Sequence, residues 1–580
     1  MENSITAKAL RQQSREIQSD QFKHKIRIAI LGYRSTQFLS KFLKQAGAIQ
    51  GLEIELYEGD YLQVEVEVMN PSSQLHAFKP GFIWIVNSTS FLEKRFQKAP
   101  EKKYFGKVIS QQYQRLAEQV QTHSSAQLIL NNFIEIPDGI YGHFSNKHSA
   151  AFLNQLRRIN VSMMDLAESH QAVHIFDLLS IVQNKGLENL LDAGLHINAD
   201  IPFNMDFEAE IAWHFSSFLT VFKGKIKKCL ILDLDNTLWG GVIGDDGLEG
   251  IQIGSLGIGK AFTELQLWAK SLKERGIILA ICSKNTEAIA KEVFEKHEEM
   301  ILRLDDIAVF VANWSNKADN IRYIQQVLNI GFDSMVFLDD NPAERALIQK
   351  ELTDITVPEL PKDPAEYLPF LRKLRLFETL AVSKLDKDRT RQYQEETQRR
   401  SMQSSYSNME DYLKSLEMKG EILPFQDHHI PRIAQLSQRS NQFNLRTIRY
   451  TESEIKSIQE NPLYLSFQVS LEDTYGKYGL ISILLLKREK EDHLFIENWL
   501  MSCRVLKREV EKYVLNHVVK KAREIGVKKI IGEYLPTAKN KIVEDHFTDL
   551  GFKPMEDNRW YLEVATYEEK DHFINTSSLS

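Results

Sequence analysis

The chain has 580 residues, 43% of them hydrophobic and 26% charged, with a formal net charge of −7. That length exceeds one ordinary core and implies about three or four domains. The mild acidity, without a Lys/Arg stripe, argues against a nucleic-acid partner, and no apolar run reaches the roughly 18 residues of a membrane span.

Cys229, Cys282 and Cys503 have neither the number for a disulfide framework nor metal-site spacing, which fits a reducing compartment. The opening "MENSITAKALRQQSREIQSD" has no apolar core of signal-peptide length. The expectation is a soluble, cytoplasmic protein without a membrane partner.

Over residues 1–200 the apolar runs "KIRIAILG", "LEIELYEG", "FIWIVNS", "AQLILNNFI" and "VHIFDLLSIV" read as strands. Helical periodicity falls between them, at Thr36–Gly47, Glu101–His123 and Lys147–His170. Strands alternating with helices predict a doubly wound parallel sheet. A second such series spans 201–371, with strands "CLILDL", "IILAICS", "AVFVANW" and "SMVFLDD". Its helices are expected at Ile258–Arg275, Thr286–Lys296 and Lys317–Leu328. A charged helical arm and linker follows over 372–407. Residues 408–580 mix antiparallel-looking strands ("LYLSFQVS", "YGLISILLLK", "HLFIENWLMS") with helices at Lys507–Glu524 and Lys541–Leu550.

Four features fall at the carboxyl ends of the four strands of the second series. They are Asp233 and Asp235 in "DLDNTLWGG", Ser283 in "CSKN", Lys317 in "NWSNKADN", and Asp339–Asp340 in "LDDNPAE". Open α/β sheets bind ligands at that edge, so residues scattered over about a hundred positions would converge on one pocket. The set suits phosphoryl transfer. Asp233 is a nucleophile that can form an aspartyl-phosphate. A hard cation such as Mg²⁺ explains how the carboxylates coexist. Ser283 and Lys317 would hold the phosphoryl oxygens, and Asp235 would protonate the leaving group and then activate the second nucleophile. Each piece alone has a blander reading, as a turn, an N-cap or a solvated face. Their joint order at four strand ends is what carries the chemistry.

Together "DLDNTLWGG", "CSKN", "NWSNKADNI" and "FLDDNPAER" resemble the haloacid-dehalogenase (HAD) superfamily, and within it the FkbH-like branch, subfamily IIIC. The resemblance implies Asp233 as nucleophile, and Asp235 as acid/base and as metal ligand through its carbonyl. It implies Asn236, Thr237, Ser283 and Lys317 as phosphate binders. It also implies Asp340 as a direct Mg²⁺ ligand, with Asp339 one layer behind. The implied reaction is glyceryl transfer: 1,3-bisphosphoglycerate is dephosphorylated and its glyceryl group passes to an acyl carrier protein. A plain phosphatase of sugar phosphates and a scaffold with a vestigial site are the alternatives.

Only 50 positions separate Asp233 from Ser283, 34 separate Ser283 from Lys317 and 22 separate Lys317 from Asp339. No cap domain fits in those intervals, so the site is open to a large partner unless neighbouring domains or the flap at Trp239–Ile253 close it. Cys282 admits two readings. A buried small hydrophobe is the commonest fate of a free cysteine, whereas a positive field beside the phosphate pocket would make it a nucleophile. The resemblance implies that such a cysteine carries the glyceryl group as a thioester. Strand alternation opposes this, because a Ser283 aimed at the phosphate sends Cys282 to the other face.

The last region resembles an acetyltransferase-like (GNAT) fold through "FIENWLMSCRV" and "EYLPTAKNKIVEDHFTDLGF", with Asn540 at the position of a frequent asparagine. The pyrophosphate loop would fall on Arg504–Glu509, where Lys507 and Glu509 replace small residues. A domain that binds a pantetheine arm or only packs is expected there. The first region loosely resembles an SGNH-hydrolase-like domain, with Ser35 as its one candidate nucleophile. The Gly-Asp-Ser motif is missing, and Asp192 and His196 are spaced one residue too far apart for the family's Asp-x-x-His. A non-catalytic scaffold is expected, with His143, His148 and His174 as surface or packing residues. The fold expectation is thus α/β: two doubly wound, Rossmann-like domains followed by a GNAT-like α+β domain.

Overall fold

Five of the apolar runs build one parallel sheet near the amino end of the chain. The computed structural model describes residues 5–17, 24–380, 402, 406, 408–440, 442–537 and 539–577, which divide into two compact units, Glu2–Lys223 and Gly224–Ser580. In the first unit the strands are β1 (His24–Gly32), β2 (Leu52–Glu58), β3 (Phe82–Val86), β4 (Gln127–Asn131) and β5 (Val173–Phe176). They run in the order β2-β1-β3-β4-β5 with every neighbour parallel. Every residue of β3 and β4 is buried, as expected of strands covered by helices on both faces.

Two sequence expectations shift in this unit. The run at Val173 stops being a strand after Phe176, because Asp177 Oδ1 accepts the Ser180 amide at 3.2 Å and caps a helix, Leu178–Lys185. The helix Met205–Phe222 lies beyond the expected boundary at 200 but packs on the helices Ala7–Arg15 and Gln37–Ile49. Its Phe215 also stacks on Trp84 of β3 with ring centroids 3.6 Å apart. The helix is therefore part of the first unit. Deep in that unit Arg34 makes a two-pronged ion pair with Glu208, at 2.7 and 3.1 Å, with both side chains buried.

The second unit opens with the strands β6 (Cys229–Leu232), β7 (Ile278–Ser283), β8 (Ile307–Ala312) and β9 (Met335–Leu338). Their order is β8-β7-β6-β9, all parallel. Side chains alternate between two cores, as the period of two demands. Leu230, Leu232 and Ile281 enter one core with Phe262 and Phe294. Cys229, Ile231 and Cys282 enter the other with Ile321 and Ile324. The helical arm expected over 372–407 begins within the helix Tyr367–Leu374, and most of it lies outside the described residues.

Beyond it lies a mixed sheet of β10 (Lys419–Pro424), β11 (Phe443–Asn444), β12 (Tyr464–Asp473), β13 (Gly476–Lys490), β14 (His493–Met501), β15 (Lys529–Glu533), β16 (Lys553–Pro554), β17 (Arg559–Glu563) and β18 (Asn575–Thr576). The order is β16-β17-β15-β14-β13-β12-β10-β18, antiparallel except for β14 beside β15 and β10 beside β18. The β14–β15 pairing covers only His493–Phe495 against Lys529–Ile531. Past that point β11 pairs with Leu500 and Met501 of β14. Leu445 then donates to Trp499 O at 3.1 Å and accepts from Leu535 N at 2.9 Å, bridging the separated ends. Among the described residues no helix is long and apolar enough to cross a membrane.

Candidate active site

The parallel order of β8, β7, β6 and β9 brings four loops together at one edge. Asp233 follows β6, and its amide donates to Leu338 O of β9 at 3.0 Å, which locks the two strand ends side by side. Lys317 opens the helix Lys317–Leu328, whose cap is Asn316, with its Oδ1 accepting Ala318 N at 2.8 Å. From there Lys317 Nζ reaches Asp233 Oδ1 at 2.9 Å and Asp339 Oδ2 at 2.6 Å. All three side chains are buried. One carboxylate oxygen each of Asp233, Asp339 and Asp340 lies within 4.8 Å of the others.

Burial pushes the Asp233 carboxyl above its usual range; Lys317 opposes this and Asp339 reinforces it. Burial, then Asp339, raises Asp340 in the same direction. For Lys317 burial works against the ammonium, but Asp233 and Asp339 outweigh it and hold the group charged. Three carboxylates thus share one lysine. Ser283, buried at the end of β7, lies beside Asp233 and favours its charged form.

The loop after Asp233 is held in detail. Asn236 takes a left-handed φ of 55°, and its Oδ1 accepts Gly241 N at 3.0 Å. Thr237 is fully buried, and its Oγ1 accepts Asp340 N at 3.1 Å. The Asp235 carboxylate lies outside the three-carboxylate cluster. Its Oδ1 accepts Trp239 Nε1 at 2.9 Å and Ile243 N at 3.0 Å, and its Oδ2 accepts Asn285 Nδ2 at 2.8 Å. The flap closes on itself where Gly240 and Gln252 exchange backbone hydrogen bonds at 2.9 and 2.8 Å. Gly241 in that turn has φ 91°, and a Cβ there would come within 2.5 Å of Asp246 Oδ2.

Cys282 does not join this group. It lies on the opposite face of β7, fully buried, with Sγ 3.8 Å from Lys317 O. Burial pushes its thiol well up, Lys317 counteracts only in part, and Asp233 and Asp339 push it further. That is the environment of an inert structural thiol rather than of a nucleophile. Four further residues contribute, none of them assigned this role from the sequence. Arg345 NH1 donates to Asp339 O at 2.8 Å and Asp340 O at 2.7 Å, and so fixes the acidic turn. Lys284 pairs with Glu344 at 2.6 Å. Asn285 and Trp239 reach Asp235. All four lie inside or beside the motifs already quoted, where a hydrogen-bonding side chain next to a catalytic position is the available signal.

The flanking candidates fall elsewhere. Asp192 Oδ1 accepts Leu195 N at 2.9 Å as a helix cap, and His196 pairs with Asp200 at 4.0 Å. His148 packs on Phe144 and Tyr141, and His174 Nε2 meets Gln127 Oε1 at 2.8 Å. In the last sheet Lys507 and Glu509 adopt φ of 64° and 62°, a region that favours glycine. Asn540 is fully buried. It donates to Asn444 O at 2.9 Å and accepts Thr537 N at 2.7 Å, so it serves as a clamp on its own loop.

Residues 27–217 match the FkbH N-terminal domain family. Among solved structures, the N-terminal part of BF1531 from Bacteroides fragilis, which contains a phosphatase domain and is complexed with Mg, is 43% identical. The match covers 65% of this chain and 99% of that one, with a TM-score of 0.62. The ribosomal-protein-S18-alanine N-acetyltransferase from Escherichia coli matches at 16% identity over 26% of this chain and 99% of that one, with a TM-score of 0.20. The GNAT domain of S. lividans PAT matches at 18% identity over 24% and 89%, also with a TM-score of 0.20. No curated protein matches the chain. With nearly the whole of a 43%-identical relative aligned to it and the acidic cluster of Asp233, Asp339 and Asp340 in place, the chain belongs to the FkbH-like branch of the haloacid-dehalogenase superfamily.

Proposed function

We propose that this chain is a Mg²⁺-dependent phosphatase-type enzyme in which Asp233 takes the phosphoryl group of a small phosphorylated substrate. One observation carries the reading: Lys317 bridges the buried Asp233 and Asp339 carboxylates, with Asp340 in the same cluster, at the open edge of a parallel sheet. Three carboxylates against one ammonium leave a surplus of negative charge that a hard, oxygen-seeking cation fits. Asp233 and Asp340 would hold it directly. Asp339 already spends Oδ2 on Lys317 and Oδ1 on Asn341 N at 2.8 Å, which places it behind them. The Mg in the BF1531 structure supports the identity of the ion. When bound, it neutralises charge on the phosphoryl oxygens.

In this reading the Asp233 carboxylate attacks phosphorus to give an aspartyl-phosphate, and water later releases phosphate. Ser283 and Lys317 stand beside Asp233, where the phosphoryl oxygens would lie, and stabilise the charge that develops there. Asp235 donates a proton to the leaving oxygen and then takes one from the attacking water. Asn236 and Thr237 act by shaping the loop, Asn236 through the flap backbone and Thr237 through the Asp340 amide.

We further propose that the substrate is 1,3-bisphosphoglycerate: Asp233 takes the phosphoryl group from the C3 oxygen, and the thiol of an acyl carrier protein attacks the C1 carbonyl and expels the other phosphate, so that the glyceryl group ends as a thioester on the carrier. Family membership supports this, as does the capless site, which leaves room for a macromolecular acceptor. A glyceryl thioester on Cys282 is not part of it, because the thiol is buried on the far face of β7. The test is incubation with 1,3-bisphosphoglycerate, Mg²⁺ and a phosphopantetheinylated carrier, followed by phosphate assay and intact-mass measurement. Phosphate release with a glyceryl gain on the carrier supports the full proposal. Phosphate without that gain leaves a phosphatase. A glyceryl adduct on the wild-type enzyme that Cys282→Ala abolishes would restore the thioester route. Neither phosphate nor adduct points to a scaffold.

A further inference from the structure

Resting on the phosphoryl-transfer reading above, we propose that Asn285 is a positioning residue for Asp235, and that Asp235 Oδ2 is the oxygen that gives up and takes the proton. Each carboxylate oxygen offers two lone pairs. Oδ1 has both occupied, by Trp239 Nε1 at 2.9 Å and Ile243 N at 3.0 Å, which are donors from the flap. Oδ2 accepts from Asn285 Nδ2 at 2.8 Å and keeps one lone pair for a proton. The two oxygens therefore have different jobs: Oδ1 anchors the flap, and Oδ2 does the chemistry.

The geometry makes Asn285 a fixed reference. It is buried and lies two positions past Ser283, so the strand end that presents a hydroxyl to Asp233 also presents an amide to Asp235. Trp239 is fully buried, so the Oδ1 anchor is fixed as well. Asp235 itself is partly exposed. Rotation about its terminal bond would exchange the two oxygens, and Asn285 on one side with two flap donors on the other opposes that exchange.

The Asp233–phosphorus bond forms as the bond from phosphorus to the leaving oxygen breaks. The electron pair stays on that oxygen, and the Asp235 Oδ2 proton neutralises it. In the second half a water oxygen bonds to phosphorus and its proton passes to Asp235 Oδ2. The Asp233–phosphorus bond then breaks, and inorganic phosphate leaves.

A displaced acid harms a poor leaving group far more than a good one, which a merely structural defect does not. The test compares kcat/KM for 4-nitrophenyl phosphate and for an alkyl phosphate, both with Mg²⁺, because kcat/KM reports the step that expels the leaving group. Asn285→Ala should lower the alkyl value by roughly 10²-fold and the aryl value by less than about threefold. Asn285→Leu keeps the bulk without the donor and should give the same split if the alanine variant misfolds. Asp235→Asn should show the same pattern, larger. Equal losses on both phosphates, or no loss on either, overturn the proposal alone. Wild-type protein inert toward both phosphates overturns the phosphoryl-transfer reading and this proposal with it.

Discussion

The Asp340 amide donates to the Thr237 hydroxyl at 3.1 Å across 103 positions of sequence, tying the nucleophile's loop to the acidic turn after β9. The bond joins the Asp340 backbone to the loop that carries Asp233, alongside the Arg345 contacts that fix the acidic turn. Thr237→Val preserves shape and deletes the acceptor. It should weaken apparent Mg²⁺ affinity or turnover about 10–100-fold, the usual cost of losing a partner that orients a ligand. Thr237→Ser should stay near wild type. The check is a Mg²⁺ titration of phosphatase activity, and an unchanged titration in the valine variant would refute the coupling.

Asp233→Asn should abolish turnover while making the metal-free protein more stable. The substitution removes the nucleophile and also one of three carboxylates crowded around Lys317. Active sites commonly trade stability for function in this way. The expected result is a higher midpoint of thermal unfolding in EDTA, together with loss of at least about 10³-fold in aryl phosphate turnover. A lower midpoint would mean that the Lys317–Asp233 pair stabilises the fold more than the crowding costs.

The site was legible in the sequence because chemistry forced unusual residues onto strand ends. Asp233, Ser283, Lys317 and Asp339 sit where an apolar run stops, and no packing requirement explains a buried carboxylate there. The parallel sheets were legible for a related reason, since strands buried on both faces read as unbroken apolar runs. Less could be read where a local competitor decides the outcome. Asp177 turned an apolar run into a helix through one capping bond, and the sequence cannot rank that bond against continued pairing. The two-residue strand β11 carries no periodicity at all, and its place beside β14 is settled by tertiary packing. Cys282 was the open question, and the alternation of β7 answers it against the nucleophile.

His546 should make the carboxyl-terminal sheet sensitive to acid. It is buried among Phe443, Trp499 and Phe547, and burial takes its pKa from the ordinary 6.5 down to about 3. Between those values the unfolded chain binds a proton that the folded one refuses. The contribution to stability is therefore complete above about pH 6.5 and is lost as pH falls toward 3. The full loss is on the order of several kcal/mol. His546→Leu should flatten that slope. Denaturant midpoints at pH 7 and pH 5 decide it: wild type should lose stability over this interval and the variant distinctly less. Parallel losses would show that other groups drive the acid response.

The carboxyl-terminal domain should not bind acetyl-CoA, although its resemblance to acetyltransferases would imply that it does. The loop Arg504–Glu509 keeps the left-handed backbone that glycines adopt, at Lys507 and Glu509, but it carries side chains there. Glu509 stands at the start of the helix Val510–Glu524, where amides would otherwise face a pyrophosphate, and its carboxylate pairs with Lys512 at 2.6 Å. An anion approaching that helix end meets the Glu509 side chain where a glycine would leave the amides open. Farther along, the gap between β14 and β15 is bridged by the chain's own Phe443–Leu445, hydrogen-bonded to Trp499 on one side and Leu535 on the other. A ligand entering between β14 and β15 would have to displace that strand. Titration calorimetry of the full chain with acetyl-CoA should give no heat of binding. Lys507→Gly with Glu509→Gly should not create it, because β11 stays in place. Micromolar binding by the wild-type chain would refute both obstacles, and binding that appears only in the double variant would assign the block to the loop and clear β11.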